Sequence, residues 1–192
     1  MASFLPYSLL FFSLFSSSLI FHDSINGVFV DGFLSDAVPL NKTEKLSHFH
    51  FYFHDILSGK TPSAIQIIGP PKLESGNGLF GKTFMIDDAL TVGRDPKSKI
   101  VGKAQGLYSI ATQEEVALLM VMNFIFTQGK YNGSSLSVLG RNPVFDNVRE
   151  FPIVGGTGLF RFARGYALAH TVWLDAKTGD AVVEYNVYVL HY

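Results

Sequence analysis

Leu46-Ser47-His48-Phe49-His50-Phe51-Tyr52-Phe53-His54-Asp55-Ile56 alternates between two kinds of side chain. Successive side chains of a strand point to opposite faces. Phe49, Phe51, Phe53 and Asp55 therefore share one face, and His48, His50, Tyr52 and His54 share the other. The phenylalanine row is expected to face a core. Asp55 extends that row at the end of the strand, where a carboxylate at the mouth of an apolar cavity would have its pKa raised and suit proton transfer. Spacing alone leaves a second option open, in which the strand stops at Ile56 and Asp55 caps a turn before Ser58-Gly59. Three histidines on the opposite face raise the question of a metal site. No carboxylate with recognisable spacing completes one, so that face is expected to be solvated.

The same punctuated pattern continues along the chain. Gly, Pro and Asn clusters separate candidate strands at 46–56, 64–69, 81–87, 101–111, 116–127, 135–140, 160–173 and 180–192. Two connections are legible. Gln128-Gly129-Lys130-Tyr131-Asn132-Gly133 offers positive φ at its Asn-Gly pair, and Lys177-Thr178-Gly179-Asp180 suits a hairpin. Eight strands without a convincing helix predict an all-β antiparallel sheet that removes its edges by closing into a barrel. An eight-stranded barrel is filled by side chains or holds one small ligand. The run Gln113–Phe126 reads by periodicity as either a buried helix or a strand, and its Val, Ile and Phe favour strand.

Composition narrows the function. The chain has 192 residues, 47% hydrophobic and only 16% charged, which suits one domain with a full core. A net charge of −1 gives no electrostatic basis for binding nucleic acid. The 18 Phe and 8 Tyr suit a β-rich core, with some left to line a cavity for flat ligands. The absence of cysteine excludes disulfides, thiol nucleophiles and cysteine–zinc sites. Residues 4–21 are apolar, serine-laced and free of Lys and Arg, like the core of a secretory signal peptide. We expect a signal peptide over 1–25, a leader over 26–45 and one domain over 46–192, secreted and free of the membrane after cleavage. The sequons at Asn41 and Asn132 fit a secreted glycoprotein.

Other motifs carry less. Gly76-Asn77-Gly78-Leu79-Phe80-Gly81-Lys82-Thr83 matches a phosphate-loop pattern, but Phe84-Met85-Ile86-Asp87 reads as strand where a helix is needed. Gly155-Gly156-Thr157-Gly158 likewise runs into the apparent strand Phe160-Arg161-Phe162-Ala163-Arg164, with no helix N-terminus to hold a phosphate. Asp87 and Asp88 point to opposite strand faces if extended, so at most one enters a cavity; a turn is the favoured reading. Arg141 and Arg149 bracket a Pro-containing loop, and Arg149 is placed either on the surface or at the barrel mouth. No Ser-His-Asp constellation can be argued.

Several ordered motifs resemble the dirigent family. They are Phe51-Tyr52-Phe53-His54-Asp55-Ile56, Val101-Gly102-Lys103-Ala104-Gln105-Gly106-Leu107-Tyr108, Gly140-Arg141-Asn142-Pro143, Val148-Arg149-Glu150, Val154-Gly155-Gly156-Thr157-Gly158 and Gly179-Asp180-Ala181-Val182-Val183-Glu184-Tyr185. The resemblance covers 46–192 and implies an eight-stranded antiparallel barrel of the dirigent and allene oxide cyclase type. It also implies a secreted homotrimer, or a dimer, that needs no cofactor. A laccase or peroxidase would make phenoxy radicals, and the barrel would steer the coupling of monolignols such as coniferyl alcohol into optically active lignans. The resemblance gives Asp55 and Arg149 the chemical roles and makes Tyr108 a pocket residue. Phe53, Asp88 and Asn142 complete the expected substrate contacts. Gly140-Arg141-Asn142 stands where lignan-forming members typically carry Gly-Ala-Asp, and their cysteine pair is absent. Both departures resemble a broader subgroup that includes pterocarpan synthases, which close a ring through a quinone methide. The alternative is therefore an enzyme that dehydrates an isoflavanol. A glycan-binding or defence module is a third reading.

Overall fold

A computed structural model describes residues 43–69 and 78–192. The signal peptide, most of the leader and the sequon at Asn41 lie outside them. Nine strands follow in order: β1 (Lys45–Asp55), β2 (Ala64–Ile68), β3 (Thr83–Thr91), β4 (Ile100–Ile110), β5 (Ala117–Phe126), β6 (Ser135–Pro143), β7 (Arg149–Thr157), β8 (Arg164–Leu174) and β9 (Ala181–His191). All pairings are antiparallel, and neighbours run β1-β9-β8-β7-β6-β5-β4-β3-β2. A further pairing of β1 with β3, from Tyr52↔Thr91 to His54↔Ala89, closes the sheet. β2 pairs with the other half of β3, from Ala64↔Ile86 to Ile68↔Thr83. β1 and β2 thus share one position in the wall, and nine strands make the eight-stranded antiparallel barrel that the sequence predicts. The run Gln113–Phe126 contributes β5 and is extended.

Alternation along the strands builds the interior. Phe51 and Phe53 on β1, Phe124 on β5, Phe151 on β7 and Tyr185 on β9 are buried. Each large apolar side chain buried in this way contributes about 1.5–3 kcal/mol. One end of the barrel is plugged. Phe49 lies 4.9 Å from Phe126 and 5.0 Å from Tyr131, and Tyr131 stacks on Phe160 at 5.0 Å, measured between ring centroids. Ser47 Oγ joins the plug through Tyr131 Oη at 2.9 Å and His191 Nε2 at 2.8 Å. The other end, where β1 finishes at Asp55 and β9 begins at Ala181, contains a cavity.

Four sequence expectations need correction. First, β7 was hidden by Pro152 and by Gly155-Gly156. Pro152 pairs with Tyr166 of β8, whereas the β6–β7 register ends at Val138↔Ile153, so the proline sits just beyond that ladder. Second, the strand expected over 160–173 begins only at Arg164. Phe160 belongs to a one-turn 3-10 helix, Gly158–Phe160, and is fully buried. Gly158 has φ +63°, and a Cβ there would lie 2.6 Å from Ser134 Oγ, so the turn favours glycine. Third, Asp87 and Asp88 make no turn; they lie inside β3, with Asp88 inward and Asp87 outward. The apolar alternation Phe84, Ile86, Leu90 carries the strand past them to Thr91. Likewise β6 runs on to Pro143 and includes Asn142.

Fourth, His54 is not solvated. It is buried, and its Nε2 lies 2.7 Å from Thr91 Oγ1, which itself donates to the Gly93 carbonyl at 2.7 Å. Its outer-face neighbours are the exposed ones. His48 stacks on Tyr188 at 4.5 Å, and His50 Nε2 meets Glu184 Oε1 at 2.6 Å. Among the described residues, no three His, Asp or Glu side chains gather as metal ligands. Asn132 sits exposed in the turn before β6.

Candidate functional site

The cavity has a volume of about 430 Å³, within the ~300–1,000 Å³ usual for small-molecule sites. Its walls are largely apolar, with Phe53, Phe84, Leu118, Met120, Val183 and Leu174 among them. Its polar side chains include Asp55, Tyr108, Asn142, Arg149 and Tyr185. The structure therefore brings together Phe53, Asp55, Tyr108, Asn142 and Arg149. Asp88, expected among the substrate contacts, is not on the cavity wall. It is inward-facing on β3 and fully buried.

Asp55 is the last residue of β1 and continues the inward row of Phe51 and Phe53. Burial pushes its carboxyl up to about 7, helped by the negative charge of Asp180 and opposed by a hydrogen bond from Tyr108. Tyr108 Oη, two strands away on β4, donates to Asp55 Oδ1 at 3.4 Å. Burial and the charge of Asp55 also push the Tyr108 phenol far up, so Tyr108 remains a donor.

Asp88 reaches the same end of the barrel from β3. Ser63 Oγ donates to Asp88 Oδ1 at 2.5 Å and accepts from the Ile56 backbone N–H at 3.2 Å. Burial pushes the Asp88 carboxyl up to about 8, the charge of Asp55 adds to the rise, and the Ser63 hydrogen bond offsets part of it.

Arg149 opens β7, three strands round the barrel from Asp55. Its guanidinium is buried, Nε donates to Asn142 Oδ1 at 3.1 Å and Nη1 to the Asp146 carbonyl at 3.4 Å. Desolvation pulls its pKa down, and Tyr185 and Asp146 oppose that pull. An arginine keeps its charge through such a shift. Asn142 Nδ2 also contacts Met120 Sδ at 3.7 Å. Sequence reasoning missed Tyr185 as a wall residue. Its signal was the inward alternation Val183-Tyr185-Val187 on β9.

A carboxyl that holds its proton near neutral pH thus faces the same apolar space as a fixed cation. Such a pair can protonate a leaving hydroxyl and stabilise negative charge on a phenolic oxygen.

The model of the dirigent-like protein family matches residues 46–190. The chain belongs to the dirigent family. This dirigent protein is 53% identical to dirigent protein 23 of Arabidopsis thaliana over 148 residues, which is 77% of this chain and 79% of the relative. It is 52% identical to pterocarpan synthase 1 of Glycyrrhiza echinata over 161 residues, 83% of this chain and 85% of the relative. A solved pterocarpan synthase dirigent protein superposes with a TM-score of 0.73 at 50% identity, covering 78% of this chain and 92% of the other.

Proposed function

We propose that this dirigent protein dehydrates an isoflavanol-type phenol through a quinone methide and closes the ring on one face. The observation that carries the reading is Asp55, a carboxyl held up to about 7 on the wall of an apolar cavity that also contains Arg149. Relatives named pterocarpan synthase, about half identical over most of the chain, support it.

The Asp55 carboxyl gives its proton to the benzylic hydroxyl, the C–O bond breaks and water leaves. The conjugated phenol releases its own proton to solvent and becomes the quinone oxygen, whose partial charge the Arg149 guanidinium stabilises. A second phenolic oxygen then attacks the methide carbon. Its proton passes to the Asp55 carboxylate, the quinone oxygen takes a proton back from solvent, and the first ring is aromatic again. One water is lost and nothing is oxidised or reduced. The shaped walls hold the attacking oxygen near one face. A difference of ~1.4 kcal/mol between the two faces gives about tenfold selectivity.

Guided coupling of two phenoxy radicals, supplied by a separate laccase or peroxidase, is the second reading. It rests on the aromatic walls contributed by Phe53, Phe84, Tyr108 and Tyr185, which receive flat phenols without calling on a proton. In either case we propose that the protein works outside the cell as a homo-oligomer. The apolar, serine-laced segment at 4–21 supports secretion.

The test uses purified protein and a racemic isoflavanol with no oxidase present, with products separated on a chiral column. Formation of one pterocarpan enantiomer supports the first reading. No conversion, together with an enantiomeric excess of lignans from coniferyl alcohol and laccase, replaces it with the second.

A further inference from the structure

The β1–β3 register runs Tyr52↔Thr91, Phe53↔Leu90 and His54↔Ala89. The register ends there; carried on by one rung it sets Asp55 against Asp88, and the charge of Asp55 is felt at the Asp88 carboxyl. Phe53, Asp55, Leu90 and Asp88 all belong to the inward rows of their strands. Directly opposed residues on one face have Cβ atoms roughly 4.5–5.5 Å apart. Two carboxylates at that separation inside a barrel cannot both ionise readily, and their protons come off in two steps that belong to the pair.

Asp88 is suited to the hidden half of such a pair. It is 0% exposed and off the cavity wall, so it does not itself reach a substrate. Its Oδ1 takes the Ser63 hydroxyl, while Oδ2 is buried with no hydrogen-bond partner. A bare buried carboxylate oxygen is costly, so the arrangement fits a carboxyl that retains its proton. The surroundings supply little compensation. Tyr108 from β4 and Tyr185 from β9 face the pair, Asp180 lies just before β9, and Arg149 is across the cavity on β7. Asp87 and Lys103 sit on the outer side, where Lys103 Nζ is 3.4 Å from Asp87 Oδ2.

We propose that Asp55 and Asp88 form a cross-strand carboxyl pair with a shared proton, in which Asp88 is the positioning residue that keeps Asp55 protonated as the pH rises through neutrality. The catalytic consequence rests on the dehydration proposed above. When the pair has lost one proton, the remaining one is divided between the two carboxyls, and Asp55 is still an acid for part of the time. The second step completes the loss. Burial raises both carboxyls, and the charge of Asp55 raises that of Asp88 further.

Asp88→Asn tests it, because the amide keeps an acceptor for Ser63 and removes the second titration. The wild-type rate is expected to fall in two steps on the alkaline side, and that of Asp88→Asn in one. At pH 8 the variant should retain about three times less of its own plateau rate than the wild type does. A loss that is equal at every pH overturns the proposal. A second measurement needs no turnover: the aspartate carboxyl ¹³C titrations of the full protein. In Asp55→Asn the Asp88 midpoint must fall, since the charge opposite it is gone; an unmoved midpoint overturns the pair. A protein that fails to convert any isoflavanol but shows this fall has lost the dehydration reading and kept the carboxyl pair.

Discussion

Tyr108 donates its hydroxyl to Asp55 Oδ1 across 3.4 Å, from a strand two positions round the barrel. That length is well beyond the ~2.7–2.8 Å typical of O–H···O hydrogen bonds, so the bond is a weak brake. It favours the ionised form of Asp55, and burial outweighs it. Tyr108→Phe is therefore expected to raise the Asp55 pKa, by less than about one unit. The alkaline limb of kcat/KM should move up in pH by the same amount. A limb that moves down would mean that Tyr108 holds the neutral carboxyl instead.

Arg149 ties three parts of the site together. It grips Asn142 on β6, reaches the Asp146 carbonyl and presents its charge to the cavity. Hydrogen bonds to charged groups contribute about 1.5–3 kcal/mol, which is roughly a 10–100-fold effect on rate. Arg149→Ala should lower kcat/KM by that factor. Arg149→Lys should recover only part of it, because an ammonium cannot reproduce the fork that reaches Asn142 and the loop together. Full recovery by lysine would reduce the role of Arg149 to its charge alone. Both variants are compared in the isoflavanol assay.

The half-buried Asp55 and the buried Asp88 also set how stability varies with pH. Their folded-state values of about 7 and about 8 lie above the ~3.9 of an unfolded aspartate. The folded chain thus holds protons that the unfolded chain releases. Their stabilising contribution is complete below pH ~4 and is lost as the pH rises through 7 and 8. Asp180 acts in the opposite sense, because hydrogen bonds from Ser58 and Leu57 outweigh its burial and hold its carboxyl down. The melting temperature should fall between pH 5 and pH 8.5. The double variant Asp55→Asn, Asp88→Asn should show a flatter curve and melt higher than the wild type at pH 8.5. Parallel curves in thermal melts would contradict the assignment.

Packing behind Tyr108 makes a separate prediction. Gly106 pairs with Met122 on β5, and a Cβ at Gly106 would lie 2.1 Å from the Val121 carbonyl oxygen and 2.7 Å from Met122 Cα. Backbone atoms cannot yield as a flexible side chain does. Gly106→Ala should destabilise the barrel by about 1–3 kcal/mol, measured by urea unfolding, and disturb the cavity through Tyr108, two residues on.

Much of this was legible in the sequence because period-2 alternation writes burial directly into the chain. The row Phe49, Phe51, Phe53, Asp55 gave the inward face of β1 and delivered Asp55 to the cavity wall. The same logic identified at most one of Asp87 and Asp88 as inward. It failed to keep that pair in a strand, because two adjacent aspartates read as turn chemistry when the apolar residues on either side are ignored. β7 was lost for a related reason. Pro152 and Gly155-Gly156 punctuate a segment whose ladder to β6 stops short of the proline. The burial of His54 is not legible in its own strand because its cover is tertiary: its ring bonds Thr91, which is tied to the Gly93 carbonyl. Tyr185 and the Asp55–Asp88 opposition needed strand registers that no local pattern contains.

The most direct test of the central claim compares wild type and Asp55→Asn at pH 6 with a racemic isoflavanol and no oxidase, following both substrate binding and pterocarpan formation. The account predicts that Asp55→Asn still binds the phenol but forms pterocarpan at least about 100-fold more slowly, the usual scale for loss of a general acid. Conversion by Asp55→Asn at the wild-type rate and handedness would contradict it.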